Sequence, residues 1–151
     1  MKEHHVTFES QVELPEVITE ESVLSLLSHV LLAEDVHESW ELAIQFVDDI
    51  TMQAAHVEFM DIDEPTDIMT FPYSDEDDIW GDGQFGGDLI ISVDRARSHA
   101  HVVEWREEDE LFFLVTHGIL HLLGWDDHSD GDRSRMLNRQ LELLDSWPDR
   151  P

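Results

Sequence analysis

Cysteine is absent from the chain, and lysine occurs once, at Lys2. The first absence excludes a disulfide framework or a disulfide-linked partner, a thiolate metal site, an iron–sulfur cluster and a cysteine nucleophile. The second belongs to a wider scarcity of positive charge: 8 basic residues stand against 36 acidic ones, a formal net charge of −28. A surface of that sign repels nucleic acid, because phosphate binding ordinarily relies on lysine and arginine displacing counterions. Salt weakens that objection. At molar ionic strength the Debye length falls to about 3 Å, so only local contacts count, and a lysine-poor, acid-rich surface suits solubility in a salt-adapted cytosol. A long apolar run is missing as well. Residues 111–125 are the longest nearly apolar stretch and histidines interrupt it, while the opening MKEHHVTFES lacks a basic segment followed by an apolar one. These features predict a soluble, cytoplasmic protein with no membrane partner.

What is present starts with length. At 151 residues the chain has the size of one ordinary domain, 1–151, with a real core and no repeat or interdomain linker. Residues 5–11 alternate Val6 and Phe8 with polar residues, as a first strand does. Thr19 offers an N-cap to a helix over 20–32, whose apolar stripe is Val23, Leu24, Leu27, Val30 and Leu31. Residues 40–47 have period two, with Trp40, Leu42, Ile44 and Phe46 on one face, and predict a second strand. Asp48 or Asp49 caps a short helix through residue 58, built on Ile50, Ala54 and Val57. Residues 64–73 predict a third strand closed by Pro72, and 87–94 form the most strand-like run of all. Between them SDEDDIWGDGQFG reads as an acidic surface loop, with a spacing that does not fit an EF-hand calcium site.

Asp94 then caps a helix through residue 106 with Ala96, Ala100 and Val103 inward, and a longer helix covers 107–123. A last helix, led by Asp130 or Asp132, carries Met136, Leu137, Leu141 and Leu144 back onto the sheet, and 146–151 fray. The predicted class is α+β, a small mixed sheet of about four strands packed with helices.

The chemistry concentrates in residues 111–128, LFFLVTHGILHLLGWDDH. His117 and His121, four apart, share one helical face and stack about one turn, roughly 6 Å, along the axis, so their ring nitrogens can converge on one ion. Leu111, Leu114, Val115, Ile119, Leu122 and Leu123 are apolar enough to bury the rest of that helix. Gly124 ends it in a left-handed cap, and the turn through Trp125, Asp126 and Asp127 brings His128 back toward the same ion. One histidine in an apolar helix is ordinarily a satisfied core residue. Three in this arrangement suit a three-ligand catalytic zinc site with an open position, where zinc lowers the pKa of water to about 7 and polarises a phosphoryl oxygen. His29, His37 and His56 are scattered and read as surface or packing residues, while His99 and His101 cannot face the same way on one helix.

The zinc-peptidase signature HExxH carries its general base directly after the first histidine, and Gly118 stands there. The metal helix is therefore zincin-like in ligand geometry but lacks the peptidase's proton-handling group. HGILHLLGWDDH closely resembles HGxLHLxGYDH, the signature of the YbeY family of ribosomal-RNA maturation factors, which are single-domain, metal-dependent endoribonucleases. That resemblance implies one Zn2+ ion held by His117, His121 and His128. The chain carries an extra aspartate before the last of these, so Asp127 is the alternative third ligand, with imidazole the more suitable donor for zinc.

A second segment, EPTDIMTFP, resembles the family's PTDVLSFP beside the cleft, and GDLIIS resembles its GDIxIS strand. The resemblance makes Asp67, Thr70 and Asp88 candidates for the substrate cleft, while Asp126 and Asp127, close in sequence to the ligands, are candidate catalytic carboxylates. Phe59 and Met60 stand where the family often has an aromatic residue followed by an arginine implicated in activity. Phosphate contact then falls to Arg95, Arg97 or the arginines after the motif. The implied function is a single-strand-specific, zinc-dependent endoribonuclease in small-subunit ribosomal-RNA maturation and ribosome quality control, with RNA and the ribosome or its proteins as partners. Two alternatives stand beside it: another zinc hydrolase such as a peptidase, opposed by Gly118, and a non-catalytic, zinc-stabilised ribosome-associated factor, favoured by Met60 and the acidic surface.

Overall fold

A computed structural model of the protein describes residues 3–62, 66–73 and 85–151. In chain order the elements are β1 (His5–Ser10), α1 (Glu20–Ala33), β2 (Trp40–Val47), α2 (Asp49–Met60), β3 (Ile68–Pro72), β4 (Phe85–Ser92), α3 (Val93–Val103), α4 (Glu107–Leu122) and α5 (Asp130–Ser146). The strands form one sheet in the order β1-β2-β4-β3, with β1, β2 and β4 parallel and β3 antiparallel on the edge. The class is α+β with a mixed four-stranded sheet, as the periodicities predict. Glu64 and Pro65 of the expected third strand, and all but the last two residues of SDEDDIWGDGQFG with its calcium reading, lie outside the described residues.

Parallel neighbours need a crossover, and α1 supplies the one between β1 and β2. Its start is fixed by a reciprocal cap: the Ser22 N–H donates to Thr19 Oγ1, and the Thr19 N–H to Ser22 Oγ, each at 3.0 Å. The two faces of the sheet are unequal. Leu42, Ile44 and Phe46 of β2 stand beside Gly87, Leu89 and Ile91 of β4, and this face carries the main core under α1 and α4. The other face holds a small cluster of Val47, Met52 and Met69 beneath α2.

Several inward faces differ from those expected. On α2 the buried residue is Met52, while Ile50 and Val57 are exposed. The cause is a tether at Asp49: its N–H donates to Asp94 Oδ2 at 2.8 Å and its carboxylate accepts from Ser92 Oγ at 2.7 Å, which sets the helix with Met52 over Val47 and Met69. Those bonds also move the boundary after β4. Ser92, not Asp94, caps α3 by accepting from the Arg95 N–H, and the strand ends there. Ala96 and Ala100 face inward but Val103, in the last turn, is exposed.

α5 packs on α4 and α1 rather than on the sheet, burying Met136, Gln140, Leu143 and Leu144 and leaving Leu137 exposed. The chain's end is tied rather than frayed. Trp147 is buried, meets Phe112 edge-on at 5.0 Å and donates from Nε1 to Ser25 Oγ at 3.0 Å, and Arg150 reaches Asp109 at 3.2 Å.

Candidate metal centre

Helix α4 is seated at both ends. Glu107, Glu108, Asp109 and Glu110 occupy its first turn, where negative charge meets the positive end of the helix dipole, and Arg106 forks onto Asp109 with two bonds of 3.0 Å. At the other end Gly124 adopts φ +102, and the N–H groups of Gly124 and Trp125 donate to the carbonyls of His121 and Leu120, each at 3.0 Å, the glycine-terminated cap that the sequence predicts. Midway, a Cβ on Gly118 would lie 2.7 Å from a Leu89 methyl and 3.0 Å from Ile68 Cδ1. Glycine is thus what lets α4 lie on the sheet. It also accounts for the missing glutamate, since the position after His117 faces β3 and β4 instead of the cleft.

His117 and His121 bring their Nε2 atoms to 3.0 Å, and Asp127 Oδ2 lies 3.4 Å from the second and 3.7 Å from the first. Donors about 2.0–2.1 Å from a tetrahedral zinc are about 3.4 Å apart, so the three spacings fit one ion. The other ring nitrogens are both committed. His121 Nδ1 lies 3.0 Å from the Trp125 carbonyl, and His117 Nδ1 lies 3.0 Å from Gln140 Oε1, whose amide orientation is set by its Nε2–H donating to the Phe113 carbonyl. Both partners are acceptors, so each Nδ1 carries the proton and each Nε2 presents a lone pair. Two lone pairs and a carboxylate oxygen facing one another repel unless a cation lies among them. Burial, above all, holds the His117 pKa below the usual histidine value, which disfavours a proton in that role at neutral pH. The group His117, His121 and Asp127 could hold a metal ion.

His128 is carried elsewhere. Its side chain is 90% exposed and its Nε2 lies 3.4 Å from Asp126 Oδ1, which also accepts the His128 N–H at 2.8 Å. The expected third ligand His128 stays outside the group of His117, His121 and Asp127, and instead converges with the candidate carboxylates Asp126 and Asp127 in a second group that shares Asp127 with the first. The reason is register: the pattern's third histidine falls ten residues after its first, and in this chain that position is Asp127. The turn keeps its length, so the additional residue is taken up beyond it. Glu34, just past α1, braces this corner, accepting from Trp125 Nε1 at 2.6 Å and from Arg139 of α5 at 3.0 Å.

From His117 and Asp127 a hollow of about 300 Å³ runs between α4 and α5 to Asp67, His99 and Glu110, with Arg133 on its wall. Asp67 therefore joins the cleft. Thr70 pairs with Leu89 on the α4 side of the sheet. Asp88 does not join it, because its neighbours Gly87 and Leu89 face α4 and alternation turns Asp88 to the opposite face. There it lines a separate hollow with Phe59 and Phe71, and accepts from the Tyr73 hydroxyl at 2.5 Å. Burial, then that bond, pushes the hydroxyl pKa up to about 12. Of the candidate phosphate contacts, Arg97 is drawn to Glu107 and the Glu13 carbonyl, and Arg95 pairs with Asp49 at 3.3 Å.

Sequence reasoning missed Gln140 and Glu110. Each is a polar residue on an otherwise buried stripe, Gln140 between Met136 and Leu143, Glu110 two turns before His117, and that interruption is the signal that finds them.

The family model of endoribonuclease YbeY matches residues 5–148. The chain belongs to the YbeY family. Endoribonuclease YbeY of Corynebacterium diphtheriae is 38% identical over 137 residues, covering 86% of this chain and 70% of that protein. The Micrococcus luteus protein of the same name is 34% identical over 147 residues, covering 95% and 90%. A Thermotoga maritima protein solved in solution shares the fold with a TM-score of 0.60 at 22% identity, over 96% of this chain and 94% of that one. Membership in the YbeY family makes the chain an enzyme of the nuclease class. Among the described residues no helix is long and apolar enough to cross a membrane.

Proposed function

We propose that the chain is a zinc-dependent endoribonuclease acting on single-stranded RNA, with small-subunit ribosomal RNA as substrate and ribosome maturation and quality control in the cytoplasm as its setting. The whole chain acts as one catalytic domain. The observation that carries the reading is the pair of Nε2 atoms 3.0 Å apart with Asp127 Oδ2 beside them. Two imidazoles and a carboxylate are a donor set of catalytic zinc sites that keep one position open. When bound, the ion stabilises charge developing on the phosphoryl group and lowers the pKa of the attacking water.

The chain's own groups do the rest. Gln140 and the Trp125 carbonyl fix the two ring tautomers, so both Nε2 atoms stay turned to the ion. Arg133, on the cleft wall and beside the exposed Asp130 at 3.2 Å, would exchange that partner for a phosphate to serve in place of the family's arginine, replaced here by Met60. A hollow of about 300 Å³ suits a single unstacked nucleotide better than a duplex, whose bases stay stacked and paired. Membership in the YbeY family supports RNA as the substrate, and the motif resemblance supports the ribosomal setting.

The test is to incubate zinc-loaded protein with structured ribosomal RNA and with casein, at low and molar KCl, beside His117→Ala. RNA cleavage that the substitution abolishes is the expected result. Casein cleavage instead would make the chain a peptidase, and cleavage of neither substrate, with a loss of many degrees of melting temperature in His117→Ala, would make zinc structural.

A further inference from the structure

Glu110 is the least accounted-for group in the cleft. It is 4% exposed, it lies on the same face of α4 as His117, and its Oε2 has no hydrogen-bond partner. Its Oε1 is held by His99 Nδ1 at 2.9 Å. An unpaired buried carboxylate oxygen is costly, so the fold retains something here that packing alone does not explain. A second metal does not explain it either: among the described residues two groups of three donors converge, and Glu110 is in neither.

The surroundings say what would pair with it. Glu110 stands two helical turns from His117, about 10 Å along the axis. For a nucleotide whose phosphate sits at the histidines, that distance passes the sugar and meets the base. Phe113, Leu114, Met136 and Leu137 supply apolar lining between them, and the hollow of about 300 Å³ has room for one heterocycle. The bond from His99 to Oε1 leaves Oε2, buried just beneath the lining of the hollow, as the acceptor that a small turn of the carboxylate would present.

We infer that Glu110, steadied by His99, is a base-selecting residue: it accepts a hydrogen bond from the amino group of the nucleobase next to the cleaved phosphodiester. This rests on the ribonuclease reading above. Cytosine presents an N4 amino group to a carboxylate, whereas uracil, of the same size, presents the O4 carbonyl and is repelled. A polar group reads this difference more sharply than shape does.

The experiment measures binding of fluorescein-labelled 2′-O-methyl hexamers of cytidine and of uridine to the zinc-loaded protein in molar KCl, by anisotropy. The expected result is that the cytidine hexamer binds about tenfold tighter, the worth of one well-made hydrogen bond. In Glu110→Gln the amide turns a donor to the base, so the preference disappears or reverses while the absorption spectrum of the cobalt-substituted site stays unchanged. Equal affinity of the native protein for the two hexamers overturns the inference, and so does a cytidine preference that survives Glu110→Gln. A protein that cleaves ribosomal RNA yet shows no preference loses only this inference; one that neither cleaves nor binds loses the ribonuclease reading with it.

Discussion

Asp127 Oδ2 stands 3.4 Å from His121 Nε2 and shares a donor group with the paired imidazoles that His128 does not enter. Zinc affinity, measured by calorimetry with a competing chelator, should therefore fall at least tenfold in Asp127→Asn and change less than about threefold in His128→Ala. The reverse order would restore His128 as the ligand.

Gln140 does not reach the ion position but holds His117 in the tautomer that does. Gln140→Leu fills the same space without an acceptor, so zinc affinity should drop about 10- to 100-fold with little change in the melting temperature of the zinc-free protein. Affinity kept within twofold would show that ring orientation needs no such partner.

Burial raises the Glu110 pKa above its usual range, the bond from His99 opposes the rise, and Asp67 adds to it. A carboxyl whose folded pKa lies above the unfolded one favours the folded state most below the unfolded value, and that advantage is lost as pH rises through the folded value. Melting temperatures of native protein and Glu110→Gln should coincide near about pH 4 and separate toward about pH 8, with the substituted protein higher. Parallel curves would mean that burial there is not felt.

Gly118→Ala sets two effects against each other. A helical glycine replaced by alanine gains about 1 kcal/mol, but a methyl 2.7 Å from Leu89 costs about 1–3 kcal/mol of overpacking. Crowding wins, because Leu89 is itself fully buried, and thermal unfolding should begin a few degrees lower. A stabilised variant would mean that α4 rides higher on the sheet.

With 36 acidic residues against 8 basic ones, self-repulsion is the dominant surface term. The melting temperature should climb between low and molar KCl as screening tightens to about 3 Å. A flat profile would remove the salt-adaptation reading.

Much of the fold was legible because its signals are local. Thr19 capped α1 as expected and period two gave the bounds of β2, since a cap and an alternation depend on few neighbours. What failed depended on distant partners. Asp49 reaches across to Ser92 and Asp94, and that bridge rotated α2 and ended β4 two residues earlier than expected, neither of which a window of sequence contains. At the site, the paired histidines were visible from spacing alone. The third donor was not, because choosing between Asp127 and His128 requires knowing the path of a turn, and Gln140 comes from a helix that only tertiary packing brings near.

Glu34 grips the indole of Trp125 with one oxygen and the guanidinium of Arg139 with the other, so the corner bearing Asp127 and the helix bearing Gln140 share a single brace. The receptacle for the ion is consequently braced by contacts that do not involve the ion. Loading should then resemble a key entering a finished lock, with a small heat-capacity change and no gain of helical signal, unlike small zinc domains that fold only around their metal.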